Sequence, residues 1–546
     1  MTATEAAASG TETAVTTVDA LIVGAGFSGL QLLWTLRGLG FTVAACEQAP
    51  EVGGTWYWNR YPGARCDVES VDYSFGFDDD LQQEWVWTQR YPDQADILAY
   101  LTHVSERFDL RELIRFSTTV TGADFDETAG RWRVRTDGDE QFDAQFLIMA
   151  IGCLSTPKDV DLPGLDNFAG PMYRTSDWPH EPVDFSGQTV LAVGTGSSGA
   201  QLIPAIAPRV GQLIAVQRTP NFVIPAGNRP VPVEELDRIK AAYPARRKAN
   251  RQSLAGVVRD DNPKNAFDVD DSERQHEFQT RWDIGGVGFL GAYQDLMVDQ
   301  RANDAVCDFV RSKIDEIVDD PDVARRLKPA GYPLGAKRPV IATRFYETFN
   351  RDNVRLVDVR ETPIETFTAH AVRLTTGEEI PLDAVALATG FDAFTGSFDR
   401  IDIRGVGGRR LADAWDHGPK THLGLGVAGF PNMIPVANAG SPSVLSNMVT
   451  AIDQHVGWIA DLLVHMRSHA HRTIEAQPQA QDEWVQAVED IANMTLWPNG
   501  DSGSWYRGAN IAGKTQIFMP YAGGITGYQD SLDECVRSGY AGFTFT

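Results

Sequence analysis

Two short glycine-rich turns constrain this chain more than any other feature of it. Residues 18–23 (VDALIV) form a nearly continuous apolar run, as a central parallel strand requires. Gly24, Gly26, Phe27, Ser28 and Gly29 follow in one turn, then a helical pattern through Leu30, Leu33, Trp34 and Arg37. A second strand over residues 41–46 ends at Glu47. Strand, glycine turn, helix, strand and acid in that order make a dinucleotide-binding unit. The glycines permit a tight turn, close approach of backbone N–H groups to a pyrophosphate, and close helix–strand packing. The helix N-terminus adds a positive dipole end, and Glu47 is placed to accept hydrogen bonds from a ribose.

The arrangement recurs. A strand over 189–193 runs into Gly194, Thr195, Gly196, Ser197, Ser198 and Gly199, then a helix from about Ala200 and a strand over 213–216. The second copy continues with Gln217, Arg218 and Thr219 where the first has Glu47. A carboxylate repels a 2′-phosphate, whereas a guanidinium grips one in bidentate fashion. The residues therefore assign FAD to the first turn and NADPH to the second.

At 546 residues the chain is too long for one ordinary core. The expected fold class is α/β, with two Rossmann-like dinucleotide-binding domains. Residues 18–155 form the first part of the FAD domain, 156–390 the NADPH domain, and 391–546 the rest of the FAD domain with loop-rich C-terminal segments. Residues 228–330 break the alternating pattern and carry an amphipathic helix through Val306, Phe309, Val310, Ile314, Ile317 and Val318. This reads as a mainly helical insertion in the NADPH domain, either walling a substrate cleft or bracing the domain. Strands ending in small residues at 146–152 and 382–390 fit points where one domain hands the chain to the other. A helix over about 443–465 packs through Val444, Met448, Ile452, Val456 and Ile459.

Composition narrows the partners. A net charge of −26 argues against nucleic acid or an anionic membrane surface. Five scattered cysteines without a CxxC pair suit a reducing cytoplasm and offer neither zinc site nor redox disulfide. Residues 1–17 lack a basic and an apolar region and read as a disordered tail rather than a signal peptide. No apolar run reaches the roughly 18 residues of a membrane helix. The histidines, His422 and His455 among them, show no metal-ligand spacing, so no metal is expected. A cytoplasmic protein is expected, a monomer or a weak homo-oligomer.

The loops between the turns are more specific. GGTWYWNRYPGARCD over residues 53–67 resembles the tryptophan and proline-glycine signature of the type I Baeyer–Villiger monooxygenases. FAGPMYRTSDWP over 168–179 resembles their FxGxxxHxxxWP fingerprint, at Phe168, Gly170, Arg174, Trp178 and Pro179. GAKR at 335–338, ATGFD at 388–392 and SWYRGAN at 504–510 are similar as well. The resemblance spans residues 18–545 and is nearest to the phenylacetone, steroid and cyclohexanone enzymes of that family.

It implies an activity: NADPH reduces FAD, O₂ adds to give a C4a-peroxyflavin, and this attacks a small-molecule ketone to yield an ester or lactone. It implies that Arg338 is the catalytic arginine and Asp67 the acid that orients it. It places Gly54, Thr55, Trp56 and Tyr73 at the flavin, Lys337 with Arg218 at the 2′-phosphate, and Trp505 in a loop that folds over the nicotinamide. Oxygenation at sulfur, nitrogen or carbon is the alternative within enzymes. An inactive nucleotide sensor is the alternative outside them, with Arg174 its only hint. Two departures stand out. Arg174 occupies the fingerprint's histidine position, which implies altered coupling before loss of activity. Asn438-Ala439-Gly440-Ser441-Pro442 lies where relatives usually carry a Gly-Pro.

Overall fold

A computed structural model of the chain describes residues 15–138, 140–500 and 503–546. The apolar run after the N-terminus becomes a strand, Val15–Val23, buried on both faces along its C-terminal half. It pairs in parallel with Val43–Cys46 on one side and Gln141–Met149 on the other. The first sheet runs Asp402–Arg404, Val120–Asp126, Arg131–Thr136, Gln141–Met149, Val15–Val23, Val43–Cys46, Ile114–Arg115. Met433–Pro435, far along the chain, adds in parallel to the C-terminal half of Gln141–Met149. The first and last thirds of the chain thus share one sheet.

The second sheet is wholly parallel, in the order Val354–Asp358, Gln212–Gln217, Thr189–Val193, Ala384–Leu387, Met172–Arg174. In each sheet the strand carrying the glycine turn is central, so the turn opens at the strands' C-terminal edge, where such folds bind ligands. Each turn also abuts the end of a neighbouring strand: a side chain on Gly24 would meet the carbonyl of Ala150, and one on Gly194 that of Ala388. Just beyond those strand ends the two crossover straps touch. The Lys158 N–H donates to the Gly390 carbonyl at 3.1 Å, and Pro157 bridges to Phe391.

Several elements differ from the sequence-based expectation. Residues 15–17, assigned to the disordered tail, belong to the first strand and pair with 141–143; residues 1–14 lie outside the described ones. The apolar run ends at Val18, but ladder hydrogen bonding continues through β-branched residues at the sheet margin, where polarity is no obstacle. The expected helix over 443–465 is a short 3₁₀ turn, Ser443–Leu445, followed by the helix Met448–His469 capped by the Asn447 side chain.

The C-terminal region expected to be loop-rich contains helices Pro478–Asn493 and Gly524–Arg537. Two of its glycines mark the ends of the second helix: Gly523 is the N-cap, and Gly539 follows the last turn. Buried Ile525, Tyr528, Leu532 and Cys535 supply the helical period between them.

The insertion is mainly helical, interrupted by a non-helical stretch over residues 252–270, and its packing is divided. Leu236, Tyr243 and Val257 join the core beside the first sheet, whereas Phe278, Trp282, Val306, Phe309 and Val310 join that beside the second. Arg246 pairs with buried Asp72, and Asn250 donates to the same carboxylate at 2.9 Å. The insertion therefore straddles the two domains.

Candidate active site

One cavity of about 1040 Å³ runs from the first glycine turn to the second. At one end lie Gly24, Gly26, Phe27, Ser28 and Glu47, with Gly54, Thr55, Trp56 and Tyr73 across from them. At the other lie Gly194, Thr195, Gly196, Ser197, Ser198, Arg218, Thr219 and Lys337. Asp67, Arg338 and Trp505 line the stretch between. Gly29 and Gly199 are outside the lining. Each packs its bare Cα against the carbonyl of the turn's first glycine, a space no side chain could share.

Both ends fit a nucleotide. Helices Phe27–Gly38 and Ser197–Ile206 begin at glycines, with no side-chain cap and no acidic residue in the first turn. Their first N–H groups are left for a ligand, and the helix dipole favours an anion there. At the first turn, Gly54 lies against Gly26 with a φ of +53°, a contact a side chain would separate. Trp56 donates to the Tyr73 hydroxyl at 3.2 Å, and Tyr73 stands edge-on to Phe27, 4.9 Å between centroids. These residues would hold FAD.

Glu47 is 4% exposed and already accepts the N–H groups of Ala25 at 2.7 Å and Ala49 at 2.9 Å. Burial raises its pKa against those bonds. In this structure it rigidifies the turn while reaching the cavity wall.

At the second turn the charges tell. Arg218 and Lys337 line the cavity, and among the described residues neither forms an ion pair. Burial, then the neighbouring Arg218, lowers the Lys337 ammonium to about 8. Two cations gathered without a carboxylate fit a phosphate, which makes this the end that would hold NADPH.

Between the two ends stands an ion pair, Arg338 with Asp67. Arg338 donates through Nε to Asp67 at 2.5 Å, through Nη2 to the second carboxylate oxygen at 2.9 Å, and through Nη1 to the Val444 carbonyl at 2.6 Å. About a quarter of each side chain is exposed, into the cavity that both line. Burial works against the Arg338 charge, but the Asp67 carboxylate overrides it and holds the guanidinium above its ordinary pKa.

A loop closes over this pair. Ser504 donates to the Ala336 carbonyl at 2.7 Å, Trp505 stacks on Phe394, and buried Tyr506 packs close to Arg338. Asn510 donates to the Phe391 carbonyl at 2.9 Å, and Lys514 pairs with Asp392.

None of the five fingerprint residues lines the cavity, although Ser176 between them does. Phe168 and Trp178 are buried; Arg174 and Pro179 are exposed. Trp178 packs on Tyr173 and Phe185, and its N–H donates to the Trp58 carbonyl at 3.3 Å, tying the linker to the flavin-side loop. Arg174 ends the edge strand Met172–Arg174, and among the described residues only its backbone is engaged, accepting from the Asp177 N–H at 3.1 Å.

Sequence reasoning missed Gln201, which lines the cavity and clamps the two domains. Its amide accepts from the Tyr61 hydroxyl at 2.8 Å and donates to the Arg65 carbonyl at 3.0 Å. A polar residue amid the apolar run after the first turn of helix Ser197–Ile206 was the available signal. It also missed Lys158, which sits in a loop without any motif of its own, and it left Asn510, the last residue of the SWYRGAN motif, without a role.

The fold and site define the class first: a flavin- and nicotinamide-dependent oxidoreductase in which two nucleotide-binding domains share one cleft. A family model described as flavin-binding monooxygenase-like matches residues 18–230. A Baeyer–Villiger monooxygenase from Pseudooceanicola batsensis is 39% identical, over 97% of this chain and 96% of its own. A phenazine N-monooxygenase from Lysobacter antibioticus is 38% identical, over 96% of each chain. A solved steroid monooxygenase in its oxidised form with NADP superposes with a TM-score of 0.92 at 46% identity, covering 97% of this chain and 99% of that one. The chain belongs to the Baeyer–Villiger monooxygenase family of FAD- and NADPH-dependent enzymes.

Proposed function

We propose that this protein inserts one oxygen atom of O₂ beside the carbonyl of a small ketone, giving an ester or lactone at the expense of NADPH. The observation that carries this reading is the Arg338–Asp67 pair inside the cleft that both glycine turns share. FAD bound there supplies the oxygen-activating chemistry, and NADPH the hydride.

The chain's own contribution is electrostatic and positional. Arg338 cannot lose its proton. Asp67 and Val444 occupy Nε and one hydrogen on each Nη, which leaves two donors for negative charge developing on the reacting oxygens. Asp67 fixes the plane of the guanidinium. The Ser504–Tyr506 segment keeps water from the cleft, and so strengthens that charge interaction.

The N-oxygenating relative supports a second reading, transfer to a ring nitrogen. The two differ in polarity: a ketone carbon is electrophilic and needs an anionic oxygen donor, whereas a nitrogen lone pair needs an electrophilic one. A permanent cation at the centre of the cleft favours the anion, and with it the ketone. Products from a panel of cyclic, aryl and steroid ketones, N-heteroarenes and thioethers, identified by mass spectrometry, separate the readings.

Arg338→Ala is expected to let NADPH reduce the flavin at the normal rate while ester formation falls at least about 100-fold. Normal ester yield from that variant removes the assignment.

A further inference from the structure

We propose that Lys158 is a third cation of the 2′-phosphate site and helps set the preference for NADPH over NADH. The proposal rests on the cofactor assignment made above. Lys158 lies on the strap that leaves the first sheet after Gln141–Met149 and enters the second domain. Its N–H is fixed to the Gly390 carbonyl at 3.1 Å, just past the end of Ala384–Leu387. That strand flanks Thr189–Val193, which carries the second glycine turn, and Gln212–Gln217, which leads into Arg218, flanks it on the other side. The register therefore brings Lys158 and Arg218 to the turn from opposite neighbouring strands, and both line the same cavity with Lys337.

Lys158 is half-buried and, among the described residues, in no ion pair. The adjacent acids in sequence, Asp159 and Asp161, also line the cavity, but neither pairs with it. Burial and then the Arg218 charge both push its ammonium below the ordinary value, the same two causes that act on Lys337. Like charges held together with no carboxylate paired to them raise the energy of the free protein, and a dianion relieves it. A 2′-phosphate provides that dianion; the 2′-hydroxyl of NADH does not.

The test titrates the FAD-loaded protein separately with NADP⁺ and NAD⁺, following flavin absorbance or binding heat. Flavin content and melting temperature certify each variant. Lys158→Gln and the similarly sized Lys158→Met are expected to raise the NADP⁺ dissociation constant about tenfold, while the NAD⁺ constant changes less than about twofold. Lys158→Arg is expected to keep NADP⁺ affinity, and Arg218→Ala serves as the reference loss. Unchanged NADP⁺ affinity in both Lys158 variants, with a loss in Arg218→Ala, overturns the proposal but leaves the cofactor assignment standing. Equal weakening of NADP⁺ and NAD⁺ also overturns it, since the contact would then be to a part the two nucleotides share. No loss even in Arg218→Ala overturns the cofactor assignment itself.

Discussion

At the scale of single residues, function depends on charges held where charge is costly. Arg338 and Lys337 are neighbours in sequence and meet opposite circumstances: Asp67 holds the first charged, whereas burial and Arg218 bring the second to about 8. The Lys337 shift has a direct consequence for binding. Below pH 8 the ammonium is already charged, and NADP⁺ meets it ready-made. Above pH 8 the free protein has lost that proton, and phosphate binding must take one up. NADP⁺ affinity is therefore expected to be level from about pH 6.5 to 8 and to fall by up to about tenfold per unit above, until the raised pKa of the complex is reached. Lys337→Arg should flatten the profile, as calorimetry at several pH values can check. A steady affinity up to pH 10 in the unaltered protein would count against the role of Lys337. Arg174, by contrast, makes no side-chain hydrogen bond among the described residues and does not line the cavity. Its departure from the fingerprint leaves the cleft's charge set untouched.

At the scale of elements, the two strand–turn–helix units carry separate burdens, which point changes can tell apart. Gly24 has a φ of +105° and Gly194 a φ of +107°, conformations that other residues adopt only with strain of about 1–3 kcal/mol. In addition, a methyl group at either would meet a strand-end carbonyl. Gly24→Ala is expected to yield colourless protein with little FAD. Gly194→Ala should stay yellow yet bind NADP⁺ poorly. Pigment loss in both, or in neither, would break the one-turn, one-nucleotide assignment. These units were legible because all their signals are local: an apolar run, glycines at fixed spacing, a helical period. The C-terminal helices were less so, because glycines at helix caps resemble loop composition until the buried period between them is noticed.

At the scale of the whole molecule, catalysis needs a hydride donor in one domain to meet an acceptor in the other, so the seam between them matters as much as either site. Gln201 of the second domain grips the Tyr61–Arg65 loop of the first. Gly63 in that loop, at a φ of +85°, lets the backbone approach the helix of Gln201 and Ala205. Trp178 fastens the linker to Trp58, and the helical insertion spans both cores. Gln201→Leu is expected to retain both nucleotides but slow flavin reduction by NADPH about tenfold, because binding is local to each domain while transfer depends on their alignment. Stopped-flow reduction with matched binding titrations would show it, and an unaltered reduction rate would rule out the alignment role.

The sequence alone determined the two nucleotide units, the order of their strands and the resemblance in the loops between them. Each rests on residues close together in the chain, whose spacing expresses backbone geometry directly. Only the tertiary structure decided that Asp67 and Arg338 form a two-pronged pair, that the insertion packs against both cores, and that Lys158 lines one cavity with Arg218. Those facts depend on segments far apart in the chain being carried together by two sheets, and no local pattern records which loops a sheet's register will bring into contact.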